Sequence, residues 1–223
     1  MRLFAPAGLF LAFLLPAGSA FAAPDPAFDP PVKAPREVAI LSGGCFWGMQ
    51  GVFEHVKGVA QVVAGYTGGS AGTAQYETVS TGTTGHAESI KITFDPRVIS
   101  YGKLLQIFVT VAADPTELDY QGPDSGTQYR SEIWYAPTDQ QQKIAGDYLA
   151  QLTGTKIFSG PIVVRLDPAQ AFYPAEAYHQ DFLALHPDNP YIAYNDIPKL
   201  QALQAQFPQY YAVNPVLFTK SGN

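Results

Sequence analysis

Residues Val38 to Gly58 read VAILSGGCFWGMQGVFEHVKG. Four apolar residues run into Ser-Gly-Gly, the pattern of a short buried strand closed by a tight turn. Phe46, Met49, Phe53 and Val56 then recur at helical spacing, and Gly58 stops the helix. Val59 to Tyr66 reads as a second strand, closed by Thr-Gly-Gly. From Ala87 to Phe94 the chain alternates, with Ile90, Ile92 and Phe94 on one face and Ser89, Lys91 and Thr93 on the other, which is a half-buried strand. Strand, helix, strand and strand in this order point to a split βαβ unit.

The rest extends that unit. Leu104, Leu105, Phe108, Val109 and Ala112 form an amphipathic helix ended by Asp114-Pro115. Tyr129 to Tyr135 is a strand. Thr138 and Gln141 make a capping box for a helix carrying Ile144, Tyr148 and Leu152. Ile162 to Arg165 is a further strand, and a shorter helix spans Ala177 to Leu185. Residues 67–86 and 114–128 read as long surface loops. The expected fold class is α+β: a two-layer sandwich with a mixed sheet and a split βαβ, ferredoxin-like core. One domain, 37–223, is expected, with an irregular tail from about 187 that holds one helix over 198–206.

The N-terminus is set apart by composition. Arg2, the apolar run Leu9 to Leu15 and Ala20-Phe21-Ala22 have the layout of a secretory signal peptide, expected to be cleaved near residue 22. The apolar run is too short to span a bilayer as a mature helix. Pro24, Pro26, Pro30, Pro31 and Pro35 then make 23–36 an extended leader. The chain has 13 Lys and Arg against 19 Asp and Glu, a formal charge of -6 that becomes -7 without Arg2. With no basic cluster, nucleic acid and anionic membranes are poor partners. A monomeric, exported chain in the periplasm or outside the cell is the expectation.

Cys45 is the only cysteine among 223 residues. In an oxidising compartment it is an inert buried thiol, half of an intermolecular disulfide, or a reactive group. Its place at the first turn of a helix favours the last of these, because free amides and the helix dipole stabilise an anion and lower the thiol pKa from ~8.5. Phe46 belongs to the core stripe, whereas Trp47 lies off it and suits a pocket wall. Glu88 shares the parity of Ile90, Ile92 and Phe94, so its carboxyl faces the core side, where desolvation would keep it protonated as a general acid. Tyr66 and Tyr129 close strands beside glycine-rich loops, where a phenol can bond a substrate oxygen. Asp124 in Gly-Pro-Asp-Ser-Gly reads as a turn residue. His55, His86, His179 and His186 show no metal-ligand spacing with Cys45, so no metal is expected. His86 and His179 keep a Cys-His hydrolase open, and the 29 Phe, Trp and Tyr residues keep open a binding module that stacks on sugars or peptides.

Gly44-Cys45-Phe46-Trp47-Gly48, Gly85-His86-Ala87-Glu88, Gly126-Thr127-Gln128-Tyr129-Arg130-Ser131 and Tyr178-His179-Gln180, in that order, resemble the peptide methionine sulfoxide reductase A family over about Val38 to Gln180. The resemblance implies that Cys45 attacks the sulfur of an S-epimer methionine sulfoxide, free or in a protein, and becomes a sulfenic acid. It implies that Glu88 protonates the sulfoxide oxygen, Tyr66 and Tyr129 bond it, Phe46 and Trp47 hold the methyl group, and Asp124 builds the polar side. No cofactor is implied. Many members carry further cysteines that capture the sulfenic acid; this chain has none, so an external reductant, a thioredoxin-like protein or a small thiol, is implied instead.

Overall fold

The computed structural model describes residues 22–136 and 139–218. The signal-peptide assignment and Thr138 of the capping box lie outside the described residues. The elements in order are β1 (Glu37–Ser42), α1 (Phe46–Glu54), β2 (Val59–Thr67), α2 (Tyr76–Val79), β3 (Ala87–Phe94), α3 (Tyr101–Ile107), β4 (Tyr120–Gln121), β5 (Asp124–Ser125), β6 (Glu132–Tyr135), α4 (Asp139–Thr155), β7 (Arg165–Pro168), β8 (Phe172–Pro174), α5 (Phe182–Leu185) and α6 (Ile197–Gln206).

Six strands form one sheet in the order β7-β6-β1-β3-β2-β8. β3 pairs antiparallel with both β1 and β2, so β1 and β2 run parallel on either side of it, and β1-α1-β2 is a split βαβ unit. β6 pairs antiparallel with β1, which makes β3-α3-β6 a second split unit. Among the described residues only β6 and β7 pair in parallel, so the sheet is mixed. The α+β ferredoxin-like expectation holds.

Alternation decides what each face buries. Ala39 and Leu41 point into the main core with Ile90, Ile92, Phe94 and the helices, while Ile40 points to a small cluster with Ala87 and Trp134 on the opposite face. Leu41, Phe53, Ile90 and Ile92 are fully buried, each stabilising the fold by roughly 1.5–3 kcal/mol relative to exposure. The helices therefore lie on one side of the sheet. On that side the end of β1, the start of α1 and the start of β3 converge, because Ser42 pairs with Ser89.

Several boundaries differ from expectation. Residues 67–86 are not all loop: a 3₁₀ turn at Ala71–Thr73 precedes α2, which Tyr76 opens. α3 starts earlier than the apolar pattern, at Tyr101 behind the N-cap Ser100, whose side chain accepts from the Lys103 N–H, and it continues as a π-helical turn over Phe108–Ala112. The first sheet strand after α4 is β7 rather than 162–165. Ile162 and Val164 pack sideways on the core, and the Val163 N–H bonds the Pro115 carbonyl, so pairing with β6 begins only at Arg165. The single helix expected over 177–185 is split at Asp181, whose φ is 56°.

Residues 22–36 are extended but held down. Ala23 is buried, the Ala23 N–H bonds Thr110 Oγ1, and the Tyr148 hydroxyl donates to the Pro24 carbonyl at 3.0 Å. Gly102 lets Asp29 sit against α3, where the carboxylate accepts from the Gly102 N–H. The tail from 187 also folds back onto α1. Gly48 leaves room for it, since a Cβ there would stand 2.0 Å from Asp196 Oδ1, and Gly51 leaves room for α5, since a Cβ there would stand 2.5 Å from Leu183.

Candidate active site

The turn between β1 and α1 needs both of its glycines. Gly44 has φ 84°, a conformation that costs little only without a side chain, and a Cβ on Gly43 would meet Phe108 at 2.7 Å. The Gly44 N–H bonds the Tyr129 carbonyl at 3.2 Å, tying the turn to the segment ahead of β6. Cys45 is thereby fixed as the N-cap residue of α1, partly exposed, with its thiol free.

Cys45, Phe46, Trp47, Tyr76, Glu88, Asp124, Tyr129 and Tyr191 line one pocket of 200 Å³. Glu88 reaches it from the second residue of β3. Its side chain is 2% exposed and accepts the Phe46 N–H at 3.0 Å. Burial pushes its pKa up to about 8, with the Asp124 charge adding to the rise and the Phe46 N–H opposing it. Near neutral pH Glu88 therefore holds a proton, as its strand parity implied.

The thiol departs from expectation. Desolvation first, then the charges of Glu88, Asp196 and Asp124, raise the Cys45 pKa, and only the Trp47 N–H pulls it down. The helix terminus does stabilise negative charge, but the Phe46 amide there is already bonded to Glu88. The resting pair is a neutral thiol beside a neutral acid.

The aromatic wall is braced from behind. Trp47 stacks on Phe182 with ring centroids 3.8 Å apart, meets Tyr191 edge-on, and donates its Nε1–H to His179 Nδ1 at 3.0 Å. Phe46 is almost fully buried between Tyr66 and His179. The polar side is set by the Tyr191 hydroxyl, which donates to Asp124 Oδ2. Asp124 is thus more than a turn residue.

Tyr66 is the correction. It pairs across the sheet with Glu88 and shares its face, but the ring is fully buried under Phe46 and the hydroxyl donates to Glu176 Oε2 at 2.8 Å. It does not border the pocket. Tyr76 does, and Glu176 also holds it by accepting the Tyr76 N–H at 2.9 Å. Tyr76 stood out only as a lone aromatic in a Gly/Ser/Thr-rich stretch. Tyr191 and Asp196 come from the tail, whose Pro/Tyr-rich sequence gave no sign of where it docks. Asp196 is fully buried beside α1, with Lys199 Nζ 3.3 Å away.

Both histidines of the hydrolase alternative are committed elsewhere. His86 Nε2 lies 3.0 Å from the Ser70 carbonyl, and His179 Nδ1 accepts the hydrogen bond from the Trp47 indole N–H. Neither borders the pocket.

Comparisons with known proteins agree with this geometry. The family model described as peptide methionine sulfoxide reductase matches residues 37–211. A Mesorhizobium japonicum protein named peptide methionine sulfoxide reductase MsrA 2 is 56% identical over 84% of this chain and 95% of its own. A Synechocystis protein of the same name is 46% identical over 82% and 87%. Among solved structures, reduced Mxr1 from Saccharomyces cerevisiae superposes with a TM-score of 0.65 at 27% identity, covering 73% of this chain and 92% of Mxr1. The chain belongs to the peptide methionine sulfoxide reductase family, and it is an oxidoreductase whose reaction returns methionine sulfoxide to methionine.

Proposed function

We propose that Cys45 and Glu88 carry this reduction as nucleophile and proton donor, and that the aromatic wall selects the S epimer. The carrying observation is the shared pocket: a thiol and a protonated carboxyl border one small space, with Phe46 and Trp47 to take the S-methyl group and Tyr76 and Tyr129 to bond the oxygen. Glu88 gives its proton to the sulfoxide oxygen, which makes the sulfur electrophilic, and its carboxylate then takes the Cys45 proton. The Cys45 sulfur bonds the substrate sulfur. The oxygen then passes to Cys45 as the bond to methionine breaks. The products are methionine and a sulfenic acid: the substrate gains two electrons and Cys45 loses two.

With no second cysteine in the chain, turnover needs an external thiol, from a thioredoxin-like protein or a small molecule. We also read the protein as exported, from Arg2, the apolar run and Ala20-Phe21-Ala22. Fractionation with N-terminal sequencing tests that reading: absence from the periplasm refutes export, and an intact Met1 in periplasmic protein refutes cleavage.

The catalytic assignment is tested with resolved S and R sulfoxides of N-acetylmethionine. Without reductant, the wild type should release one N-acetylmethionine per chain from the S epimer and stop, leaving one sulfenic acid that dimedone traps. Cys45→Ser should release none. Continued turnover without reductant, or release by the serine variant, removes Cys45 from the role.

A further inference from the structure

Cys45 borders a second space. This cavity, of 370 Å³, is walled by the end of the π-helical turn, the loop that follows it and the tail. Cys45, Asp124 and Tyr191 border both spaces. Glu88 and the aromatic wall face only the smaller pocket, and Asp114, Glu117, Asn195 and Lys199 only the larger cavity. The Tyr191–Asp124 hydrogen bond stands at the partition.

The two-sided placement matters for the second half-reaction, and the argument here rests on the sulfenic acid proposed above. The oxygen on Cys45 comes from a sulfoxide held against Glu88, so it lies on the pocket side. Displacement at sulfur is in line, with the incoming thiol opposite the leaving oxygen. Away from Glu88, the space that Cys45 borders is the larger cavity.

We propose that this cavity binds the reducing thiol, and that it favours a low-molecular-weight thiol carrying an amino group. Asp114, Glu117 and Asp124 face it against a single cation, Lys199, which already stands beside buried Asp196. The acidic groups are held in place: Glu117 Oε2 accepts the Gly122 N–H at 2.8 Å, and Asp114 Oδ1 accepts from Thr116. An ammonium group is attracted there and a carboxylate repelled. In the first step the thiol sulfur bonds the Cys45 sulfur, the sulfur–oxygen bond breaks, and the hydroxide leaves as water with a proton that the thiol has given up. A second thiol then attacks the mixed disulfide, releasing the small disulfide and the Cys45 thiol. Two thiols each give one electron, and Cys45 regains two.

The experiment separates the half-reactions in the intact protein. Sulfenic acid is first formed with the S sulfoxide; if none forms, the catalytic reading fails before this proposal is reached. Its reduction is then timed with cysteamine, 2-mercaptoethanol and 3-mercaptopropionate. N-acetylmethionine, at a concentration that halves the rate of the first half-reaction, should leave the wild-type reduction rate unchanged, because the thiol does not use the sulfoxide pocket. Glu117→Gln keeps an acceptor for Gly122. It should slow cysteamine by about threefold, leave 2-mercaptoethanol unchanged and speed 3-mercaptopropionate. Competition by N-acetylmethionine, or one common effect of the substitution on all three thiols, overturns the proposal. So does reduction by a thioredoxin-like protein alone.

Discussion

Replacing Glu88 by glutamine keeps the shape of the side chain and an oxygen to accept the Phe46 N–H, so the variant should fold. It removes the proton. The wild-type carboxyl, with a pKa pushed up to about 8, is about nine-tenths protonated at pH 7 and about one-tenth at pH 9. The wild-type first half-reaction should therefore slow roughly tenfold across that interval. Loss of a general acid costs about 10²- to 10⁴-fold, so Glu88→Gln should be slower by that factor at pH 7 and lack the same alkaline limb. The assay is rapid-quench measurement of methionine released in a single turnover from pH 6 to 10. A limb of the same midpoint in the variant, or a rate within threefold of wild type, refutes the assignment.

The same substitution should change stability with the opposite sign. A carboxyl whose pKa is raised on folding holds a proton that the unfolded chain has lost, so wild-type stability falls as pH rises from the ordinary glutamate value to about 8. Glutamine has no such dependence. By pH 8 to 9 the variant should be the more stable protein by roughly 4 kcal/mol in urea unfolding, and by little at pH 4. Equal stabilities at both pH values would mean that Glu88 is solvated.

Three further outcomes follow from the geometry. Gly48→Ala sets a methyl where Asp196 Oδ1 lies, so it should displace the tail, cost about 1–3 kcal/mol of stability and weaken sulfoxide binding; unchanged values in both assays would contradict the packing. Asp196→Asn removes one of the charges that hold the Cys45 proton on, so the midpoint of iodoacetamide alkylation should move to lower pH, and a shift to higher pH would refute the cause given. Tyr76→Phe should slow the single turnover more than Tyr66→Phe does, whereas Tyr66→Phe should cost stability because it takes a partner from Glu176; the reverse order would return the substrate contact to Tyr66.

Local pattern carried most of the architecture. Parity along β3 was enough to aim Glu88 inward, because alternate side chains of a strand must take opposite faces. The glycine pair before Cys45 marked a tight turn, and the groups packed there are Phe108 and Ala113 against Gly43 and Gln121 against Gly44. Gly48 and Gly51, three apart on α1, were the available signal that another segment lies against that helix. The partner segment itself carried none. β7 began later than its apolar run because an edge strand is defined by the neighbour it bonds, and Ile162 and Val164 had core to cover instead.

The linear chain by itself determined the split βαβ order, the cap position of the single thiol and the inward face of Glu88, since each follows from the period of a helix or strand. Tertiary structure alone decided which tyrosines border the pocket, that the tail brings Tyr191 and Asp196 to Cys45, and that the thiol stays protonated. The physical reason is range. Periodicity is set by neighbours three or four residues apart, whereas a hydroxyl's partner and a thiol's pKa are sums over groups that arrive through space, here Glu88, Asp124 and Asp196 from three distant stretches of chain.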